Sequence, residues 1–166
     1  MKTFSQIVID HPAERINLPR WISTLSDREY QACSPGHRAA GTFIEGGRLG
    51  SVNVESVGGH LLVQHYIAVT SSPHHLVMHS GRTRVYLMHL VPATIEVIWT
   101  LDVERRDSDS AMFRCGVETR ISGLLSALAA LACLPLFVRW HVQGETPLFA
   151  KDIARKIGAG PLDDGF

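Results

Sequence analysis

The C-terminal third of the chain contains a run without a charged side chain, Ile121 to Val138, which restricts the folds open to the sequence. Leu124, Leu128 and Leu131 recur within it at helical spacing, so the run predicts a helix. Its length is close to that of a minimal membrane span. However, it is rich in alanine, contains Pro135 and follows a series of strand patterns that need a cover. These features favour a helix buried on most sides over a membrane span.

Upstream of this run the sequence alternates between strand patterns and tight turns. Gly46-Gly47 and Gly58-Gly59 separate alternating segments, which is a common signal of β-hairpins. Ser26, with Glu29 three residues later, has the pattern of a capping box and predicts the start of a short helix. The predicted order is therefore one strand, two short helices, about six strands and a long helix.

The long helix is predicted to span about Ser122 to His141, with a kink near Pro135. Thr146 and Pro147 are typical of an N-cap and a first helical turn, so a separate closing helix is expected after Thr146. A sheet of consecutive hairpins has one face to bury, and the apolar helix is the predicted element that can cover it. The sequence thus predicts an α+β fold, in which a curved antiparallel sheet of about six to seven strands wraps a long C-terminal helix.

Composition and charge limit the number of domains and the classes of partner that the sequence predicts. The chain has 166 residues, of which 45% are hydrophobic, and its 16 basic residues balance 16 acidic ones. This predicts one domain over residues 1–158 and a loose tail over residues 159–166. The neutral balance argues against nucleic acid or an anionic membrane as the main partner. Cys33, Cys115 and Cys133 are few and widely spaced, which fits reduced thiols in a cytoplasmic protein.

Two stretches resemble an uncharacterised bacterial group within the START-like superfamily, also called the SRPBCC or Bet v 1-like, helix-grip superfamily. One is Trp21 to Gly41 together with the later SVNVESVGGHLLVQHY, and the other is Glu145 to Ile153. The resemblance covers most of the chain and implies the helix-grip fold. The superfamily includes lipid and hormone carriers, polyketide cyclases and aromatases, and ligand domains of ring-hydroxylating oxygenases. The resemblance therefore does not choose among these functions.

His65 is the candidate catalytic residue. Strand alternation places it in an apolar row that is predicted to point inward, and the members of this row are Leu61, Val63, His65, Ile67 and Val69. A lone histidine on such a face is most often a hydrogen-bonded core residue. The alternative is that His65 binds or protonates a ligand carbonyl or hydroxyl, because imidazole titrates near neutral pH. Asn53 and Glu55, on the polar face of their strand, are expected to meet solvent.

The candidate ligand-binding residues are apolar or aromatic side chains on inward faces or on the helix. They are Trp99, Phe113, Cys115, Val63, Leu128 and Trp140. Trp99, in the middle of its strand, is the strongest candidate for ligand contact. Trp140 is placed either to close the mouth of the cavity or to form the polar end of the helix.

Nine histidines raise the question of a metal site. His74, His75, His79 and His89 lie near one another in two predicted strands. Their neighbours are turn residues, and no zinc-binding motif accompanies them. An exposed polar hairpin is the favoured interpretation, so neither a metal nor a cofactor is expected.

These observations predict that the protein binds a small hydrophobic or aromatic metabolite in an internal cavity. Polyketide cyclase-like or isomerase-like chemistry on that molecule is compatible with the sequence. The alternative is a non-catalytic carrier or a self-associating interaction protein, since the apolar helix is also compatible with a homodimer. The residues do not distinguish an enzyme from a binding protein, and they do not identify the ligand.

Overall fold

The computed structural model describes residues 1–121 and 133–159. Its strands are β1 (Lys2–Ile9), β2 (His37–Glu45), β3 (Arg48–Val57), β4 (His60–Ser72), β5 (His75–Leu87), β6 (Val91–Arg105) and β7 (Ala111–Arg120). Its helices are a 3-10 turn (Ala13–Arg15), α1 (Leu18–Ser23), α2 (Asp27–Ala32) and α3 (Leu134–Gly158). The predicted order of elements is confirmed.

The seven strands form one antiparallel sheet in the order β1-β7-β6-β5-β4-β3-β2. All neighbours except β1 and β7 are consecutive in the chain, as expected for a series of hairpins. Register shifts interrupt the pairing of β4 with β5 and of β5 with β6, and such bulges bend a sheet. α3 lies against β1, β7 and β3, so the curved sheet wraps the helix as predicted.

Local capping signals fix the two short helices. The Asn17 side chain accepts a hydrogen bond from the Arg20 N–H at the start of α1, where Pro19 occupies the first turn. Ser26 and Glu29 form the predicted capping box at the start of α2. These caps satisfy backbone N–H groups that have no partner within the helix.

The predicted division of the C-terminal helical region is wrong. α3 is continuous, with Pro135 in its first turn and Pro147 in its interior. Thr146 does not cap a new helix, because its hydroxyl donates to the Val142 carbonyl one turn earlier, at 2.5 Å. A buried stripe continues on both sides of Pro147, and it consists of Leu134, Val138, Val142, Phe149, Ile153 and Ile157. Burial of this stripe offsets the roughly 3 kcal/mol that an interior proline costs.

Part of the predicted helix, residues 122–132, lies outside the described residues, and Leu128 is among them. Within the described part of the chain, no helix is long and apolar enough to cross a membrane. The single domain over residues 1–158, the tail over residues 159–166 and the homodimer stay predictions.

In β6 and β7 the buried face is the one that the sequence predicts, whereas in β3 and β4 the opposite face is buried. On β6, Trp99 is buried as predicted, together with Ile95, Val97, Leu101 and Val103 on the same face. On β4, by contrast, His65 is exposed while its neighbours Gln64 and Tyr66 are buried. The buried side chains of β3 are Ser51, Asn53, Glu55 and Val57. The two strands therefore present polar groups to the interior, and the predictions for the faces of His65, Val63, Asn53 and Glu55 are wrong.

Candidate functional site

A small cavity lies between the sheet and α3. Its volume of about 30 Å³ is enough for a water molecule but far below the roughly 300–1,000 Å³ of pockets that enclose drug-sized ligands. Part of its wall is apolar and includes Val57, Val97, Trp99, Val117, Val142 and Phe149. The rest is polar, because β3 and β4 contribute Asn53, Glu55, Gln64 and Tyr66.

Four ionisable side chains meet beside this cavity, and we call them the polar cluster: His37, Glu55, His141 and Glu145. All of them except His37 line the cavity. His37 Nε2 lies 3.1 Å from Glu145 Oε2. His141 Nε2 lies 3.3 Å from the same oxygen and 3.6 Å from Glu55 Oε2. The members come from β2, β3 and α3, so the cluster forms only when the sheet and the helix are assembled.

The surrounding structure fixes the position of each member. His37 begins β2 directly after α2, and its ring stacks on Tyr30 with a centroid separation of 3.8 Å. The Tyr30 hydroxyl donates to Glu55 Oε1. His141 and Glu145 are one helical turn apart and therefore share a face of α3. His141 Nδ1 contacts the Ser34 hydroxyl oxygen at 3.3 Å.

The buried charges hold one another in their ionised forms. Burial opposes protonation of His141, but attraction to Glu145 outweighs it and raises the pKa of His141 to about 9. Burial likewise opposes ionisation of Glu145, but attraction to His141, 3.3 Å away, and a hydrogen bond from His37 lower its pKa. At neutral pH the interior thus contains an imidazolium–carboxylate pair next to the cavity.

Tyr30 and Cys115 are neutral at the same pH. Burial and the nearby Glu55 carboxylate raise the pKa of the Tyr30 hydroxyl. Burial and the Glu145 carboxylate raise the pKa of the Cys115 thiol, which accepts a hydrogen bond from Trp99 Nε1 at 3.3 Å. Cys115 is therefore a packed thiol and not an activated nucleophile.

The structure separates the residues that the sequence suggested for the site. Trp99 lies in the cavity wall, with Cys115 behind it. Phe113 is buried against Trp21, at a centroid distance of 6.4 Å. Trp140 is 56% exposed and packs on Phe137.

Val63 and His65 lie on the outer face of β4. The His65 ring contacts the ring of Phe43 there, at a centroid distance of 5.0 Å. His65 thus points away from the cavity, because the inward positions of β4 belong to Gln64 and Tyr66. Phe43 gives the His65 side chain an aromatic neighbour on the outer surface.

The histidines of the β5 hairpin do not form a cluster. His75 Nδ1 lies 2.5 Å from Asp102 and His79 Nε2 lies 2.9 Å from Glu96, so each contacts its own carboxylate. In the part of the chain that the structure describes, the three residues with the spacing of metal ligands are His37, Glu55 and His141. Sequence reasoning missed this group because Glu55 was assigned to the solvent face. The spacing of His141 and Glu145, one turn apart on a helix, was the available signal.

The sequence matches no family model and no curated protein. Solved structures, however, resemble the chain over nearly its whole length. The ZhuI aromatase/cyclase from Streptomyces sp. R1128 has a TM-score of 0.64 and 13% identity, covering 97% of this chain and 98% of that one. A START superfamily protein from Mycobacterium smegmatis has a TM-score of 0.53 and 11% identity, covering 95% and 97%.

The chain has a START-like, helix-grip fold. The structure of Ara h 8.0201 shares this START-like fold, with a TM-score of 0.57, 11% identity and coverage of 96% and 99%. Similarity at such low identity establishes the fold alone. What this chain binds or does depends on its own cavity and polar cluster.

Proposed function

We propose that this START-like protein binds a small hydrophobic or aromatic molecule carrying one polar group in the cavity between the sheet and α3. The observation that carries the proposal is Gln64, which is buried and lines the cavity. Its Oε1 has no hydrogen-bond partner among the described residues. A buried acceptor left unsatisfied costs about 1–3 kcal/mol, and a ligand hydroxyl would remove that cost.

The shape of the cavity supports an amphipathic ligand. Its wall combines the aromatic surfaces of Trp99 and Phe149 with the polar atoms of Gln64 and Glu55. A space of about 30 Å³ does not hold such a molecule, so α3 must move away from the sheet when the ligand binds. The α3 side chains that line the cavity, and that this movement would draw away from the sheet, are Val138, His141, Val142, Glu145 and Phe149.

The test compares 2-naphthol with naphthalene by isothermal titration calorimetry. We expect the wild-type protein to prefer 2-naphthol by about threefold to tenfold, because one hydrogen bond contributes about 0.5–1.5 kcal/mol. Gln64→Leu should abolish this preference. His65→Leu is the matched control, since it alters the adjacent residue on the opposite face of β4, and it should retain the preference. If wild type binds neither compound, or if Gln64→Leu keeps the preference, the proposal fails.

The second candidate function is acid–base catalysis of the cyclase-like or isomerase-like type. The observation that favours it is the His141 imidazolium beside the cavity, held in its charged form by Glu145. A cation at this position can donate a hydrogen bond to a ligand carbonyl and stabilise the enolate oxygen that forms when a neighbouring carbon loses a proton. Glu55, on the same wall, can accept that proton.

Deuterium exchange into the methyl group of acetophenone, followed by NMR, tests this candidate. We expect the wild-type protein to accelerate exchange over buffer and His141→Gln to slow it by about 10²-fold, the usual contribution of a general acid or base. His65→Gln should leave the rate unchanged. Exchange at the buffer rate in the wild-type protein would rule out catalysis of this kind while leaving the binding proposal intact.

A further inference from the structure

We propose that the polar cluster binds one divalent transition-metal ion of the Zn²⁺ class, with His37, Glu55 and His141 as its protein ligands. The potential ligand atoms of these three residues lie within 4.8 Å of one another. Two imidazoles with one carboxylate form a donor set that suits Zn²⁺, Co²⁺ and Ni²⁺. The proposal does not depend on an organic ligand.

Both imidazoles are held in the orientation that metal binding requires. His37 Nδ1 lies 2.7 Å from the Tyr30 carbonyl oxygen, so this nitrogen carries a proton and donates. Nε2, which lies 3.1 Å from Glu145 Oε2, is then the nitrogen that binds an ion once it has released the proton that it donates to this carboxylate. His141 Nδ1 likewise contacts the Ser34 hydroxyl and leaves Nε2 toward the cluster. A ring nitrogen anchored on a carbonyl or hydroxyl is the usual support of a metal-binding histidine.

The two carboxylates are supported in the same manner. Tyr30 donates to Glu55 Oε1, and the other oxygen, Oε2, is the one near His141. The Cys115 thiol lies 3.7 Å from Glu145 Oε1, while Glu145 Oε2 approaches both histidines. Each side chain therefore uses one polar atom to fix its position and directs the other into the cluster.

The spacing within the cluster is close to that of a metal site. Donor atoms bound tetrahedrally to Zn²⁺ at about 2.0–2.2 Å are about 3.3–3.6 Å apart. The separation of His141 Nε2 from Glu55 Oε2 is 3.6 Å. Pairs at the outer limit of 4.8 Å would have to approach each other by about 1.2–1.5 Å.

Charge balance also favours a divalent cation. A bound ion displaces the proton of His141, because only a neutral imidazole binds a metal. The two neutral imidazoles then add no charge, and the carboxylates of Glu55 and Glu145 balance a divalent ion. This matters because the side chains of His37, Glu145 and His141 are only 0%, 5% and 11% exposed. A net charge at such a depth would be costly.

Gln64 is also compatible with a bound ion. Its side chain is buried on the cavity wall, and its Oε1 has no hydrogen-bond partner in the described residues. Glu55, His141 and Gln64 line the same cavity. A water molecule on the open side of the ion would occupy this space, and Gln64 would accept its hydrogen bond.

The experiment uses the full chain after treatment with a chelator and removal of the chelator, with no organic ligand present. Zn²⁺ binding is measured by calorimetry, and Co²⁺ binding by its visible absorption, whose intensity reports four-coordination. We expect one ion per chain. His37→Gln, His141→Gln and Glu55→Gln should each weaken binding by at least tenfold.

His75→Gln and His79→Gln, on the outer face, are the matched controls and should bind as the wild-type protein does. Circular dichroism checks that each variant folds. If a cluster variant does not fold, the Co²⁺ spectrum of the wild-type protein decides whether a four-coordinate ion is bound. Absence of binding to the folded wild-type protein would overturn the proposal. So would binding that survives His37→Gln but is lost in His75→Gln or His79→Gln. Because no organic compound is used, either result leaves the naphthol test unaffected.

Discussion

Replacement of Glu145 by leucine, measured with a chelator present, is expected to lower the free energy of unfolding by about 3–5 kcal/mol. Glu145 Oε2 is the oxygen that both His37 and His141 approach, at 3.1 and 3.3 Å. Without it, the buried His141 loses the charge that keeps it protonated, and His37 Nε2 loses its hydrogen-bond acceptor. The cost is large because the freed groups remain in the interior, away from water.

Urea denaturation followed by circular dichroism measures this effect. Glu104→Leu is the matched control, because the Glu104 side chain is 64% exposed and pairs with Arg114 at 3.7 Å. Exposed ion pairs contribute little to stability, so the urea midpoint of Glu104→Leu should stay close to that of the wild-type protein. Equal midpoints for Glu145→Leu and wild type would show that the cluster contributes nothing to stability.

Trp21→Ala is expected to destabilise the protein by about 3–5 kcal/mol, as is usual when a buried aromatic side chain is removed. Trp21 is fully buried on α1. Its ring packs edge-to-face on Phe149, at a centroid distance of 5.2 Å, and its Nε1 donates to Asp152 Oδ2 at 2.9 Å. The variant therefore leaves a cavity and also removes a buried hydrogen bond between α1 and α3.

Trp140→Ala removes the same side chain from the exposed side of α3, where Trp140 is 56% exposed. We expect its unfolding midpoint to stay close to that of the wild-type protein. Thermal and urea denaturation of both variants give the comparison. A loss of stability as large for Trp140→Ala as for Trp21→Ala would mean that burial does not decide the effect.

The parts of the fold that the sequence predicts are those that depend on local signals. Ser26 with Glu29 marked a helix start, and the glycine pairs marked hairpins in which the structure has positive φ angles at Gly46 and Gly58. The alternation from Ile95 to Val103 identified the buried face of β6 because its interior neighbours are apolar. In these cases the local pattern and the tertiary environment favour the same structure.

The candidate site was not predictable in the same way, because its strands reverse the usual pattern. Alternation of polar and apolar residues shows which side chains share a face of a strand. Which face points to the interior is then inferred from the assumption that the apolar face is buried. On β3 and β4 that assumption fails, since Glu55 and Gln64 face the partly polar interior while Val52 and Val69 are exposed. The partners of Glu55 lie on α2 and α3, far away in the sequence. Only the assembled sheet and helix show that the polar face is the buried one.

The pairing of β1 with β7 has a consequence for how the protein is made. Lys2 pairs with Glu118 and Ile9 with Ala111, so more than half of the 166-residue chain separates the two strands. The other strands pair with neighbours that leave the ribosome just before or after them. β1 therefore emerges first but must remain without its partner until β7 has been synthesised, and closing so long a loop carries an entropic cost. During translation, the newly made protein exposes an unpaired strand that could pair with other chains.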